Sequence, residues 1–227
     1  MPTQLKYNTS VGKNTDVALI VRADQASSLP ELSSDEAAYL KRQLEAEAKI
    51  VSLNRYTQRV YVVVYPVCKT GHLTREALRQ AGYTLLKQLK ADKVEEIAIQ
   101  DLTKSDASPY LAEGLYLSNY QFQKYKTRNS KPSPLQTIVL TDENLSEFDV
   151  MELQNVLDAV TITRDLVNEP NSHQSATQFS EELVALGEKA GFTTQVFDEL
   201  QIQSLKMGGL LAVNQGSEEP PTFNILE

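Results

Sequence analysis

The side chains that commonly do chemistry in proteins are few and scattered in this sequence of 227 residues. Its two histidines, His72 and His173, lie far apart, and neither belongs to a cluster of ligand residues with the spacing of known metal motifs. Histidines without such a cluster are usually surface or loop residues. We therefore predict no catalytic, metal-binding or substrate-binding residue in this chain.

The single cysteine, Cys68, follows a predicted strand and precedes His72 in the same loop. A cysteine nucleophile needs an imidazole and an orienting third group to converge on it, and proximity in one loop does not establish that geometry. We expect Cys68 to be a partly buried structural residue. One cysteine cannot form an internal disulfide, which is typical of a protein from the reducing cytoplasm.

The glycines do not form a phosphate-binding motif. Such a motif needs clustered glycines whose backbone N–H groups approach an anion. The chain has nine glycines and one adjacent pair, Gly208–Gly209, which follows a predicted helix. We therefore predict that this pair caps the helix and turns tightly into the next strand.

One stretch of the chain interleaves cationic and aromatic residues: Tyr120, Phe122, Lys124, Tyr125, Lys126, Arg128 and Lys131. Such a stretch is able to present cations to phosphates and rings to bases. We favour a simpler interpretation, in which the cations lie in the last turn of a helix and interact with its dipole, while Phe122 and Tyr125 pack on its buried face.

The formal net charge of −8 is unevenly distributed along the chain. Residues 1–145 contain 19 Lys and Arg against 16 Asp and Glu, whereas residues 146–227 contain 3 against 14. This acidic excess argues against nucleic-acid binding by the second part. No apolar run of about 18 residues and no signal-like start is present, which predicts a cytoplasmic protein without a membrane span.

Short β-branched runs alternate with helical patterns in residues 1–145. The predicted strands are Asp16–Val21, Arg59–Tyr65, Glu96–Gln100 and Gln136–Leu140. Ser33 begins a capping box before the first helix, Thr74 precedes the second, and Ser108 with Pro109 begins the third. Because strands separated by helices need crossover connections, this part is an α/β domain with a mixed or largely parallel sheet.

The remainder begins with a long helical pattern from Phe148 to Val167. A second helix closed by Gly191 follows, then the predicted elements strand Thr193–Phe197, helix Asp198–Met207, and strands Leu210–Val213 and Thr222–Leu226. We predict a domain over residues 1–145, a linker helix over 146–169 and the beginning of a second α/β domain over 170–227. The last strand has no later partner, so we expect an interrupted sheet with exposed Phe223, Ile225 and Leu226.

Two segments resemble the opening of the catalytic domain of the leucyl aminopeptidase family: residues 163–171, TRDLVNEPN, and residues 206–221, KMGGLLAVNQGSEEPP. Residues 111–126 are similar to the last helix of that family's N-terminal domain. The resemblance implies a macro-like N-terminal domain, a linker helix and a two-metal catalytic domain. It also implies a cytosolic hexamer with zinc or manganese, and a lysine and an arginine beside a metal-activated water.

None of the family's metal or catalytic positions matches this sequence, so the resemblance implies that residues 168–170 and 207–217 serve the architecture around the site. We therefore expect the N-terminal portion of a metallo-aminopeptidase whose parent releases N-terminal amino acids from peptides. This segment would serve assembly and regulation and would itself be inactive. The alternative is a stand-alone module that binds DNA or an ADP-ribose-type ligand, although the lack of glycine-rich loops in residues 1–145 counts against ADP-ribose.

DNA binding by this chain is expected to be weak or absent, because the acidic second part opposes the mildly basic first part. Retention on duplex DNA, measured across a salt series, tests this expectation. Sub-micromolar affinity at physiological salt would contradict it, and charge reversal at Lys124, Lys126 and Arg128 would then map the contact.

Overall fold

The computed structural model describes residues 3–26, 29, 32–127 and 131–227. The chain divides into two compact units, Met1–Ile162 and Thr163–Glu227. The boundary between them falls inside one long helix.

The first unit is built on a six-stranded sheet with the strand order β1-β6-β5-β2-β4-β3. All neighbouring strands are parallel except the β3–β4 pair, which is antiparallel. The strands are β1 (Gln4–Tyr7), β2 (Asp16–Val21), β3 (Ile50–Asn54), β4 (Arg59–Val64), β5 (Glu96–Asp101) and β6 (Thr137–Leu140). The predicted α/β class with a mixed sheet is therefore confirmed.

Helices cover both faces of this sheet because alternate strand side chains point to opposite sides. On β4, Tyr61 and Val63 enter one core cluster, and Val60 and Val62 enter the other. The first cluster lies under α2 (Gly71–Asp92), α3 (Ser108–Asn119) and the first half of α4 (Glu147–Asn168). The second lies under α1 (Ser34–Glu45).

Helix α1 begins with the predicted capping box. The Glu36 carboxylate accepts a hydrogen bond from the Ser33 N–H at 2.8 Å, and the Glu36 N–H donates to the Ser33 hydroxyl at 3.2 Å. The same carboxylate binds Arg55, whose Nε lies 2.7 Å away in the β3–β4 turn. The hydrogen bond from Arg55, followed by that from Ser33, lowers the pKa of Glu36 to about 2. This residue therefore starts α1 and also ties it to the hairpin.

Helices α2 and α3 pack at unusually close range through two glycines. A Cβ atom on Gly82 would lie 2.6 Å from the Leu111 carbonyl oxygen, and one on Gly114 would lie 2.2 Å from the Arg79 carbonyl oxygen. Both carbonyl oxygens belong to the backbone, which cannot relieve the overlap by a change of rotamer as a side chain can. The contact therefore requires glycine on both helices.

The second unit contains a 3-10 helix, three α-helices and a two-stranded antiparallel sheet. Its elements are the 3-10 helix Asn171–His173, α5 (Ala176–Ala190), β7 (Thr194–Phe197), α6 (Glu199–Ser204), α7 (Gly208–Asn214) and β8 (Phe223–Leu226). Ser175 forms a capping box before α5, and Gly191 ends that helix with φ of +84°, as the sequence predicts. Among its described residues, Ile202 is the large apolar side chain that is fully buried.

Two edge strands, β1 and β3, were not predicted. The four residues of β1 alternate polar and apolar side chains, and β3 is a short run directly after the turn that ends α1. Both take their conformation from pairing with β6 and β4, which local sequence does not reveal. The start of α2 was also misplaced, since the helix begins at Gly71 after Thr70 rather than after Thr74.

The predicted strand Leu210–Val213 is wrong, because these residues belong to helix α7. Gly208 and Gly209 are accordingly the first residues of that helix and do not turn the chain into a strand. A four-residue apolar run has no periodicity that distinguishes a strand from one face of a helix.

The predicted extent of α3 is also wrong. The helix has Ala107 as its N-cap and ends at Asn119, so Phe122 and Tyr125 lie outside it, and Tyr125 is exposed. Lys124 and Lys126 are therefore not in a last helical turn, and Arg128 lies outside the described residues. The two rings contact each other, with centroids 5.9 Å apart, which explains the apolar spacing without a helix.

The expectation that the last strand has no partner is corrected. Strand β8 pairs with β7, where Phe223 is opposite Phe197 and Leu226 is opposite Thr194. Phe223 and Ile225 are partly buried, whereas Leu226 is exposed. The partner strand precedes β8 in the chain, and antiparallel pairing across the intervening helices was not visible in the local pattern.

Replacing Gly114 by alanine should lower the free energy of unfolding by about 3 kcal/mol, because the new methyl group overlaps the α2 backbone. Gly71→Ala is the matched control, since nothing lies within 4 Å of its would-be Cβ atom. Urea unfolding followed by circular dichroism measures both variants. Equal stability of the two would contradict the close approach of α2 and α3.

Candidate functional site

The residues considered as chemical candidates do not converge in the structure. His72 is exposed in the first turn of α2, with its Nε2 3.4 Å from the Thr70 hydroxyl, and His173 is exposed in the 3-10 helix. Cys68 is exposed, so its expected partial burial is wrong. The loop after β4 runs over the surface, and the apolar Val67 beside Cys68 is exposed as well.

Side chains of the kinds that bind metal ions are scattered over the described part of the chain. Within residues 3–26, 29, 32–127 and 131–227, no group of three or more His, Cys, Asp and Glu side chains is arranged to hold a metal ion. A pair of catalytic metal ions needs several such ligands within a few ångströms. The described residues therefore do not fit the two metal ions that the sequence resemblance implies.

The most connected polar cluster lies where β5 and β6 end. Asp101 is the last residue of β5, and Asp142 follows β6 by two residues. The Asp142 carboxylate accepts hydrogen bonds from the Asp101 N–H at 2.7 Å and from the Ser108 hydroxyl. Because parallel strands end at the same edge of a sheet, the two aspartates meet there.

The Asp101 carboxylate organises the loop that leads into α3. It accepts hydrogen bonds from the backbone N–H groups of Thr103, Ser105 and Ala107 at 2.8, 3.0 and 2.9 Å. The hydroxyl of Thr103 donates to it as well, at 2.5 Å. These bonds fix the loop and the start of α3, and we call Asp101 and Asp142 the loop clamp.

Burial raises the pKa of Asp142 above its ordinary value of 3.8. The hydrogen bonds from the Asp101 N–H and from Ser108 act against this shift, while the charges of Asp101 and Asp106 add to it. A cavity of about 210 Å³ adjoins the clamp and includes Lys104 in its wall. Because the clamp oxygens already accept protein N–H and O–H groups, the cluster is suited to holding a loop.

Sequence reasoning missed this clamp although a signal was present. Asp101 directly follows the predicted strand Glu96–Gln100, and Asp142 comes just after the predicted strand Gln136–Leu140. Carboxylates at the carboxyl ends of adjacent parallel strands are expected to meet. The sequence alone does not show that β5 and β6 are neighbours in the sheet.

A second polar network fixes α4 to the first unit. The Tyr116 hydroxyl on α3 donates to Asp158 on α4 at 2.6 Å, and the Gln154 amide also donates to Asp158 at 2.8 Å. Gln154 in turn accepts a hydrogen bond from the Leu5 N–H of β1 at 2.6 Å. Burial, followed by the hydrogen bond to Asp158, raises the pKa of Tyr116 to about 12. The Tyr116 hydroxyl therefore stays protonated and continues to donate its hydrogen bond to Asp158.

In the second unit a cavity of about 340 Å³ lies between α5, β7 and the residues before β8. Ser180 is buried in its wall, with its hydroxyl 3.0 Å from the Ala176 carbonyl oxygen and 2.8 Å from the Thr222 hydroxyl. These polar groups satisfy one another. Of the segments that resemble the aminopeptidase family, residues 163–171 form the end of α4 and the start of the 3-10 helix, and residues 206–221 contain the whole of α7 with the turns on either side of it.

Two family models match this chain in succession. Residues 23–129 match the N-terminal domain of the cytosol aminopeptidase family, and residues 161–227 match the catalytic domain of the same family. The chain belongs to the cytosol aminopeptidase family. The predicted resemblance is confirmed.

Curated relatives of this chain are named as cytosol aminopeptidases. A probable cytosol aminopeptidase of Chloroherpeton thalassium is 34% identical over 180 residues, which are 67% of this chain and 35% of the relative. One from Clostridium perfringens is 28% identical over 247 residues, covering 97% of this chain and 49% of the relative. The chain thus spans half or less of the length of these relatives.

Solved structures show the same fold. A mutant of tomato leucine aminopeptidase matches 99% of this chain and 51% of its own, with a TM-score of 0.77 and 17% identity. The bottromycin maturation enzyme BotP in complex with Mn matches 94% of this chain and 45% of its own, with a TM-score of 0.71 and 20% identity. Separately, no helix in the described part of the chain is long and apolar enough to cross a bilayer.

Removing the carboxylate at Asp101 should destabilise the first unit by about 3 kcal/mol, because three backbone N–H groups lose their acceptor. Asp24→Ala, at an exposed turn, should change the stability by less than about 0.5 kcal/mol. Urea unfolding of Asp101→Ala and Asp24→Ala provides the comparison. Similar stability of the two variants would show that the loop does not depend on the clamp.

The Asp142→Asn variant should alter how stability depends on pH. The folded-state pKa of Asp142 is raised, so its contribution to stability is fully present below the unfolded-state pKa and is lost as the pH rises through the folded-state value. The free energy of unfolding of the native chain, relative to Asp142→Asn, should therefore fall as pH rises across this range. A constant difference would contradict the raised pKa.

Proposed function

We propose that this chain is the amino-terminal portion of a leucyl-type metallo-aminopeptidase that releases N-terminal amino acids from peptides. The observation that carries the proposal is the succession of N-terminal and catalytic family models along one chain. The fold supports it, because tomato leucine aminopeptidase matches nearly all of this chain with about half of its own length.

We propose three parts for this portion: a domain over residues 1–145, a linker helix over 146–169 and the beginning of the catalytic domain over 170–227. The boundary of the two compact units falls within α4, which supports a connecting role for this helix. The first domain would serve assembly and regulation. Its likeness to the macro fold stays a prediction.

The surface of the second unit supports its role as part of a larger catalytic domain. Val213 is 83% exposed and Leu200 is 74% exposed, while Ile202 is the large apolar side chain of this unit that is fully buried. A two-stranded sheet is also marginally stable by itself in water. Further polypeptide of the catalytic domain would cover these side chains and extend the sheet.

The two divalent metal ions of the proposed enzyme, zinc or manganese, would be held by residues outside this chain, because the described residues do not provide a ligand group. Bound metals of this kind make a water molecule acidic enough to attack a peptide bond. Manganese is the ion named with the structurally similar BotP. We further propose a cytoplasmic location, in line with the relatives named as cytosol aminopeptidases. A hexameric assembly is also proposed, and it rests on the resemblance of the sequence to the family alone.

The 227-residue chain assayed by itself should not hydrolyse a leucine anilide above the blank, with either zinc or manganese added, because the described residues bring no metal ligands together. A polypeptide in which the same chain is followed by the rest of a catalytic domain of this family should hydrolyse it, and a chelator should abolish that activity. Release of the anilide dye measures both. Stoichiometric zinc binding with turnover by the short chain would overturn the proposal.

A further inference from the structure

The cavity of the second unit, which we call the α5–β7 cavity, has walls that are almost entirely apolar. They are formed by Val184 on α5, Val196 on β7, and Pro220 and Pro221 before β8, and the volume is about 340 Å³. Pro221 is buried, and the two valines are partly buried. Apolar cavities of at least about 300 Å³ are typical of sites for small ligands in proteins.

Hydrogen bonds hold the walls of this cavity in place. Thr194 lies on the same face of β7 as Val196, and its hydroxyl donates to the Leu183 carbonyl oxygen of α5 at 3.3 Å. The Ser180 hydroxyl on α5 lies 2.8 Å from the Thr222 hydroxyl, which fixes the segment before β8 to the same helix. Because the walls are ordered before a ligand arrives, binding does not have to overcome the entropy cost of ordering them.

The rim of the α5–β7 cavity is acidic. It contains the exposed residues Glu181, Asp198 and Glu199, and no Lys, Arg or His lines the cavity among the described residues. The Asp198 carboxylate accepts a hydrogen bond from the Gln201 N–H, and the Glu199 carboxylate accepts one from the Gln203 amide. Glu181 makes no ion pair or hydrogen bond with another described residue, so its carboxylate is available to a ligand.

The charge of the surrounding sequence also favours a cation. Residues 146–227 contain 3 Lys and Arg against 14 Asp and Glu. Such an excess attracts cations and repels carboxylates. A matching ligand therefore has an apolar group beside a positive charge and no carboxylate near it. The first residue of a peptide meets these conditions, because its ammonium group, with a pKa of about 8, is next to the side chain and far from the terminal carboxylate.

We propose that the α5–β7 cavity binds the first residue of a peptide that begins with an aliphatic side chain. This side chain lies between Val184, Val196 and Pro221, and the ammonium group lies at the rim. Glu181 is the acceptor for the ammonium group. Thr177, one helical turn earlier, also lines the cavity, and its hydroxyl makes no hydrogen bond to another described residue. The Thr177 hydroxyl donates to the carbonyl oxygen of the bound residue.

This site goes beyond the proposed peptidase activity, because binding needs no metal ion and breaks no bond. All the residues that line the cavity lie between positions 177 and 222 of this chain. Binding can therefore be measured on the 227-residue chain without added metal. A failure to bind would leave the proposed hydrolysis by a longer polypeptide unaffected.

Titration of leucinamide into the nitrogen-15-labelled chain, followed by NMR of the backbone amides, tests this proposal. Leucinamide reproduces the first residue of a peptide without a carboxylate. We expect saturable shift changes around the cavity with a dissociation constant of about 1 mM, which is typical of so small a ligand.

Related compounds separate the parts of the proposed contact. N-acetyl-leucinamide, which has no charge, and glycinamide, which has no side chain, should each bind at least about tenfold more weakly. Leucine and 3-methylbutylamine should bind at least about threefold more weakly, because the first adds a carboxylate and the second lacks the carbonyl oxygen. Equal binding of 3-methylbutylamine and leucinamide would assign the cavity to aliphatic amines in general and overturn the proposal.

Glu181→Gln should weaken leucinamide binding at least about fivefold, because the ammonium group loses its charged acceptor. Glu182→Gln is the matched control, since it removes the same charge from the next residue of α5, which is exposed and does not line the cavity. Thermal unfolding verifies that both variants fold. Absence of saturable shift changes, equal weakening by the two substitutions, or equal binding of leucinamide and its acetylated form would overturn the proposal.

A photoreactive leucinamide, with a diazirine in its side chain, extends the test to a polypeptide in which this chain is followed by the rest of a catalytic domain. Cross-links to residues 177–184 or 220–222, mapped by mass spectrometry, are expected in both polypeptides. Labelling of these residues in the 227-residue chain alone would show that the domain's own polypeptide fills the cavity, and this result would also contradict the proposal.

Discussion

The parallel pairing of β2 with β4 and β5 is the constraint on which the rest of the first unit depends. Parallel neighbours require crossover connections, and both faces of such a sheet must be covered by helices. Helices α2 and α3 consequently lie side by side on one face, at a distance that only Gly82 and Gly114 permit. The crossover from β5 into α3 must also turn sharply at the edge of the sheet, and the loop clamp of Asp101 and Asp142 holds that turn.

The two units differ in how much of their apolar surface they bury. The first buries two apolar clusters, one on each face of its sheet, and its polar networks fix α4 through Tyr116 and Gln154. The second buries one large apolar side chain fully among its described residues and leaves several exposed. This contrast follows the two family models, because the N-terminal model matches residues within the first unit and the catalytic model matches a range that includes all of the second unit. The acidic excess of residues 146–227 lies mostly in the range that the catalytic model matches.

The sequence predicts a helix or strand correctly where the local residue pattern favours the same conformation as the tertiary contacts. The continuous apolar run of β4, the capping box at Ser33, the long pattern of α4 and the glycine at position 191 each specify their conformation locally. Family membership was accessible too, because the segments at 163–171 and 206–221 are distinctive in order and composition. The mixed sheet followed from the alternation of strands and helices.

Other features were decided by contacts between distant residues. Strands β1 and β3 form because β6 and β4 provide them with backbone hydrogen-bonding partners. The loop clamp depends on β5 and β6 being neighbours, and the α5–β7 cavity depends on β7 and the segment before β8 lying against α5. Local propensity and periodicity determined which segments become helices and strands. Only the tertiary structure decided which side chains meet, because that depends on strand order and helix packing, which are properties of the whole chain.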